Sequence, residues 1–422
     1  MSKESNGGEA GPKNDFPDDP PDGGFIAWAH VVAAWLALFN TQGLNLAYGV
    51  FQAYYQKTML THKTRSDLAL IGSIQIFANF FCVVFTNPLV DRGYFRYLFH
   101  GSSFTLLLGV LSTSYCTTYP QLVGVQGILT GVSMGIIFGS GVVLLSTYFS
   151  KRTGLSMAIA ATGASFGSGV IYPLIFNYSI NKLGFQGTVT IFALVNLVMM
   201  LPANIIVRER PRAFKRETHT QRDEWWKDYV FTLVIAGRHT AFRATLSLTY
   251  FYRNIPSFGL DIINLNRQKS LNLLVAMNAV NLLGRLSFGI ISNEFFGPLH
   301  TLIISALLSG IFIFIWLEVD SELSLLKVGC AYGFAAGGIQ SLFAAAIRGF
   351  AGDSNNPTRI GVVFVTIGIA TLTGAPLGGK LVELRDDDYL YAQIFSGVTI
   401  LFGALLLATA RILKNGFKKV KM

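Results

Sequence analysis

Charge is what this sequence lacks most. Only 13% of its 422 residues are Asp, Glu, Lys or Arg, where soluble domains carry about a quarter. A deficit of that size excludes an ordinary water-soluble globular chain and points to one embedded in lipid. Cysteine is scarce too: Cys82, Cys116 and Cys330 all fall in apolar runs. They read as small buried residues, not as a disulfide framework or a metal site. The chain has no H-E-x-x-H pair, no phosphate-binding Walker loop and no nucleophile–His–acid set, so neither an enzyme nor an ATP-driven pump is expected. No cofactor and no metal are expected either. Acidic residues hardly enter the apolar runs; Asp261 and Glu318 sit at run ends.

What is present is a series of apolar runs near 20 residues, the length that crosses a hydrocarbon core of about 30 Å. About twelve can be placed, at 25–52, 67–90, 97–116, 120–146, 153–178, 186–207, 228–260, 269–292, 299–319, 323–347, 360–383 and 389–411. The expected fold is therefore an all-α integral membrane protein of about twelve transmembrane helices, with no room for a soluble catalytic domain. Residues 1–22, rich in Gly, Pro, Asp and Glu, read as a disordered cytoplasmic tail. An N-terminal six-helix bundle follows at 23–207, a hydrophilic linker at 208–227, a C-terminal six-helix bundle at 228–411 and a short basic tail at 412–422. Basic residues concentrate in the linker, the C-terminal tail and the loops at Arg92, Arg96, Lys151 and Arg152. With those segments and both termini facing the cytoplasm, the net charge of +10 is a topology signal, not a sign of nucleic acid. The expected partners are the lipid bilayer and a small molecule. The plasma membrane is the expected location, with a vacuolar or other internal membrane left open.

A long linker between equal halves suggests a duplicated transporter whose binding site lies between two bundles. Weak internal repetition agrees. "TGASFGSG" (162–169) and "TGAPLGG" (373–379) both fall in the fifth run of their half. The loops "NPLVDRGYFR" and "GIISNEFFGP" both follow the second.

Several polar residues stand out inside the runs. Arg285 lies in "VAMNAVNLLGRLSFGIIS", with Asn278 and Asn281 on the same helical face. A cation near mid-span costs roughly 2.5 to 3.5 kcal/mol on insertion scales, so it should face a wet cavity or a partner. It reads as a substrate anchor, because guanidinium offers carboxylate a planar two-point match; a structural arginine bonded to helix carbonyls is the competing reading. In the first run Gln42, Asn45, Gly49 and Gln52 form a polar stripe, either a cavity lining or interhelical glue. Gln42 and Asn45, together with Asn278 and Asn281 beside Arg285, are substrate-binding candidates. His30, near the start of that run, reads as packed or interfacial. Gly127, Gly131, Gly135 and Gly139 repeat at four-residue spacing, which lets a neighbouring backbone come close. Gly163 and Gly167, beside Ser165, Ser168 and Tyr172, read as packing and rocking positions, and Pro173 and Pro376 as sites of local bends. Asp91 and Arg92 read either as a gating latch or as a topology signal. Run seven, with Arg238, His239, Arg243 and Arg253, is too basic to read cleanly as a span.

The loop with Asp91, Arg92, Gly93 and Arg96 resembles the acidic–basic glycine turn of the major facilitator superfamily. "PDGGFIAW" (21–28) and "TYFSKRTGLSMAIAATGASFGSG" (147–169) resemble the two signatures of its monocarboxylate porter branch, and "PTRIG" (357–361) the fungal pattern. The resemblance implies two pseudo-symmetric six-helix bundles and alternating access. It also implies a proton relay that these residues do not reproduce. The family's proton-coupled lactate carriers use a lysine in the first span, absent from 40–52, and an acid where this chain has Asn281. The leading expectation is a secondary transporter of a small organic anion, a monocarboxylate or related metabolite, with proton coupling open. Alternatives are an exporter of a fungal secondary metabolite, a carrier of a riboflavin-like substrate, and a non-transporting membrane sensor.

Overall fold

The computed structural model describes residues 21–149, 152–208, 255, 258–260, 262–351, 357–384 and 389–415. Residues 1–20 of the expected tail, nearly all of the linker and nearly all of the seventh run, with Arg238, His239, Arg243 and Arg253, lie outside the described residues.

Helices dominate because backbone amides in lipid must bond within their own segment. The first rod is built from α1 (Gly24–Asn40), α2 (Gln42–Leu46) and α3 (Tyr48–Tyr54), followed by a π-helical turn, Tyr55–Met59. The sequence reads this stretch as one unbroken helix. It is broken at Thr41 and Ala47, and the Thr41 hydroxyl donates to the Ala37 carbonyl at 2.9 Å, a back-bond that bends helices. α4 (Arg65–Leu89) starts on a reciprocal cap, in which Thr64 and Asp67 each bond the other's backbone N–H. α5 (Phe95–Thr113), α6 (Tyr119–Leu122) and α7 (Thr130–Tyr148) follow, the last two joined by a π-helical segment. α8 (Thr153–Phe166) passes through another π turn into α9 (Tyr172–Ile206). At Gly184 (φ 65°) α9 turns back as two rods, a conformation open mainly to glycine.

The second half contains α10 (Arg267–Ile291), α11 (Pro298–Trp316), α12 (Glu322–Ala351), α13 (Pro357–Glu383) and α14 (Leu390–Asn415). Among the described residues, eight helical stretches are long and apolar enough to cross a membrane. The apolar core divides as the chain does. One cluster runs from Ala27 to Val207 and takes Ala345 from the other half; the second runs from Ile255 to Ala410.

Small residues set the closest packing. A methyl group on Gly131 would lie 2.6 Å from the Gln75 carbonyl oxygen, and one on Gly135 would fall inside 3.0 Å of the Asn79 carbonyl, so α7 rides directly on the α4 backbone. The second half repeats the device, with Gly337 of α12 set against the Asn281 carbonyl of α10. Among the described residues the halves meet most extensively along two helix pairs, α8 with α10 and α4 with α13, and α12 also packs on α8. At the first, Gly169 faces Asn278 and Gly289 faces Ala158; at the second, Gly368 faces Phe77 and the Ser66 hydroxyl donates to the Pro376 carbonyl at 3.2 Å.

Candidate functional site

Between these two helix pairs lies a cavity of about 160 Å³. Both halves line it. α1 and α2 contribute Ala34, Ala37, Leu38, Gln42, Asn45 and Leu46; α10 contributes Arg285, and α12 contributes Ile339, Gln340 and Ser341. Most of the wall is apolar, with Ile76, Phe80, Ile137, Phe138 and Met157 among its members. Phe80 stacks on Phe364 with ring centroids 5.8 Å apart, and Phe138 meets Phe364 edge-on at 5.7 Å. This aromatic group joins α4 and α7 of one half to α13 of the other.

Arg285 is 3% exposed and reaches three helices. Its Nε donates to Asn281 Oδ1 at 2.9 Å on its own helix, its Nη1 to the Ala161 carbonyl of α8 at 2.5 Å, and its Nη2 to Gln340 Oε1 of α12. These three acceptors are neutral oxygens on three helices, and together they fix the orientation of the guanidinium plane. The cation therefore sits at a wall of the cavity and pins the two halves together there.

Asn281 is a junction. Its Oδ1 also accepts from Ser165 Oγ at 2.7 Å, and its Nδ2 donates to the Gly333 carbonyl at 2.9 Å. Asn278 accepts from Ser168 Oγ at 3.4 Å and donates to the Leu274 carbonyl at 2.9 Å. Both asparagines share a helix with Arg285, yet both bond across the α8–α10 seam and neither lines the cavity. Gly163 and Gly167 lie on the other seam of α8, against the carbonyls of Trp35 and Phe39 in α1.

Gln42 and Asn45 do line the cavity. Asn45 is 2% exposed, and among the described residues neither its Nδ2 nor its Oδ1 has a hydrogen-bond partner; Gln42 Nε2 is likewise unpartnered there. Two hydroxyls in the lining are engaged. Ser341 donates to the Gly337 carbonyl at 2.9 Å and Thr371 to the Ile367 carbonyl at 2.8 Å. Gln52 and Gly49, from the same sequence stripe, are not part of the lining.

Asp91 and Arg92 fall in the turn Val90–Tyr94, where Gly93 has φ 89°. Arg92 is exposed, and the side chain of Asp91 lies outside the described residues. His30 is buried against Tyr148, with ring centroids 4.1 Å apart. It bonds the Ile26 carbonyl at 2.7 Å and accepts from the Arg208 N–H at 3.1 Å. It thus fastens the end of the first half to the base of α1, as a packed histidine does.

The sequence did not single out Gln340, Phe80 or Phe138. Gln340 carried a signal, a lone amide inside the apolar stretch "AAGGIQSLFAAA". The two phenylalanines carried none, since the chain has 34.

A family model for the Major Facilitator Superfamily matches residues 30–295. MFS transporter asaE of Aspergillus flavus is 30% identical over 410 residues, 96% of this chain and 91% of that protein. The aspyridones efflux protein apdF of Emericella nidulans is 32% identical over 403 residues, covering 93% and 79%. The fujikurins efflux protein of Gibberella fujikuroi is 29% identical over 406 residues, covering 96% and 86%. With its membrane-length helices, two cores and near full-length likeness to these transporters, the chain belongs to the Major Facilitator Superfamily.

Proposed function

We propose that this transporter exports a small amphipathic secondary metabolite by alternating access of its two halves. The observation that carries the reading is the mixed lining of the cavity: Arg285, Gln42 and Asn45 share it with Phe80, Phe138 and other apolar side chains. Such a lining suits an apolar body with one polar or anionic group. The names of two relatives as efflux proteins support export over uptake.

Arg285 supplies positive potential in a low-dielectric wall, where a charge acts strongly on a bound anionic or acceptor group. Asn281 and Asn278 hold its helix in register against α8. Within the superfamily the monocarboxylate porter branch remains the proposed placement, on the strength of "PDGGFIAW" and the 147–169 segment. With Asn281 in place of an acid, the family's proton relay is not part of the proposal, and facilitated movement or another coupling takes its place. Asp91 and Arg92 are proposed as gating positions, and the plasma membrane as the site of export.

The test uses sealed vesicles containing the protein, incubated with a small-molecule extract of the native cell and analysed by mass spectrometry. One or a few amphipathic compounds should accumulate above the level in protein-free vesicles. Accumulation of none contradicts export and favours a non-transporting sensor. Arg285→Lys at normal expression tests the anchor; unimpaired affinity and rate would remove its binding role.

A further inference from the structure

The cavity's polar groups differ in how much hydrogen-bonding capacity they have left. Ser341 and Thr371 return their protons to their own helices, and Arg285 is bonded to Asn281, Ala161 and Gln340. Asn45 is the contrast: 98% buried by its 2% exposure, it has both ends of its carboxamide unpartnered among the described residues, and it lies in the cavity wall. Gln42, three residues earlier on the same side of the first rod, adds an unpartnered Nε2.

A buried amide without partners is costly, and proteins ordinarily pair such groups. A carboxamide both donates and accepts. Its best complement is a group that does the same across adjacent atoms: a primary or secondary amide, a lactam, or a hydroxyl beside a carbonyl. A carboxylate only accepts, and would leave Asn45 Oδ1 unpaired.

We infer that Asn45, assisted by Gln42, is a specificity subsite for a neutral donor–acceptor group on an aryl or similarly flat apolar body, with Phe80 and Phe138 receiving the body. The inference rests on the export reading for its location and deepens it by naming the substrate class. It differs from an anion anchor because the discriminating feature is a proton donor on the ligand, not its charge. It also sets Asn45 apart from the asparagines of α10, whose amides are already engaged with protein.

The experiment measures binding of three probes to the full chain in lipid nanodiscs, with empty nanodiscs as the blank. The probes are 1-naphthamide, N,N-dimethyl-1-naphthamide, which accepts but cannot donate, and 1-naphthoate. The wild-type protein should bind 1-naphthamide about tenfold more tightly than its dimethyl analogue, because the analogue leaves a buried acceptor unpaired. Asn45→Leu, close in size and without polar atoms, should bring the two within about twofold of each other while the melting temperature holds or rises. Asn45→Asp should retain a preference for the donating probe, which an ionised or protonated carboxyl can still accept from. If the wild type binds none of the probes, binds the amide and its dimethyl analogue equally, or binds only naphthoate, the inference is overturned. A tenfold preference that survives in Asn45→Leu overturns it as well. A large fall in melting temperature in Asn45→Leu would assign Asn45 to helix packing and overturn it too. Vesicle accumulation of native compounds is scored separately. Accumulation without the amide preference leaves the export reading standing and removes this subsite; the preference without accumulation does the reverse.

Discussion

Gly135 and Gly141 lie on the same helix, α7, and the same substitution at each should move stability in opposite directions. In both, Ala removes backbone freedom from the unfolded chain and improves helix propensity by about 1 kcal/mol. At Gly141 an added methyl meets nothing within 4 Å, so that gain should appear almost in full. At Gly135 the methyl would overlap the Asn79 carbonyl oxygen and come within 2.9 Å of Cys82 Cβ. A carbonyl in a helix cannot rotate away, so α4 and α7 must separate. Overpacking of this kind costs about 1 to 3 kcal/mol and sometimes more, and the short contact with backbone favours the upper end. The net should be a loss of about 2 kcal/mol for Gly135→Ala against a gain of up to about 1 kcal/mol for Gly141→Ala. Thermal unfolding of the purified protein in one fixed lipid or detergent would read both. Gly135→Ala should melt lower than wild type and Gly141→Ala level or higher. Equal shifts of the same sign would refute the claim that backbone-to-backbone contact fixes the α4–α7 pair.

Arg285→Lys keeps the charge but loses the planar fork that reaches α8, α10 and α12. With hydrogen bonds to a charged group contributing about 1.5 to 3 kcal/mol each, stability should fall by about 3 kcal/mol after partial relaxation, together with efflux; unchanged melting would show that the three-helix bonding is not needed. Lys269 and Glu322 form an ion pair of 2.7 Å with side chains 51% and 49% exposed. Replacing either with Gln should change stability by less than about 1 kcal/mol and leave efflux intact, and a larger loss would show that α10 and α12 depend on that pair. Asn45→Leu should leave stability level or improved while erasing the amide preference, as a binding titration would show.

The architecture was legible because it follows from lipid itself: apolar length, a polar linker and repeated segments such as "TGASFGSG" require no knowledge of contacts. The glycine rows were legible for the same reason, since spacing alone puts Gly131 and Gly135 on one face. The site was legible residue by residue but not as a whole. Spacing put Asn278, Asn281 and Arg285 on one face, yet the neighbours decide their roles: Ser165 of α8 and Ser168 of the turn that follows it bond the two amides, while Arg285 alone of the three lines the cavity. No local pattern in α10 announces which residues of α8 lie opposite. In the first rod the stripe Gln42–Gln52 was visible, but the breaks at Thr41 and Ala47 were not, because Thr41 bonds back to its own helix only once the chain has folded. Phe80, Phe138 and Phe364 become a group through contacts between segments far apart in sequence.

The most direct test of export is the distribution of small molecules between cells and medium, compared by mass spectrometry in a deletion strain, the wild type and an overexpressing strain of the native host. One compound, or a few related amphipathic ones, should shift from cells to medium in step with the amount of protein, and the shift should be lost in Arg285→Lys at equal surface expression. An identical distribution in all three strains, under conditions in which the protein is present at the membrane, would contradict export.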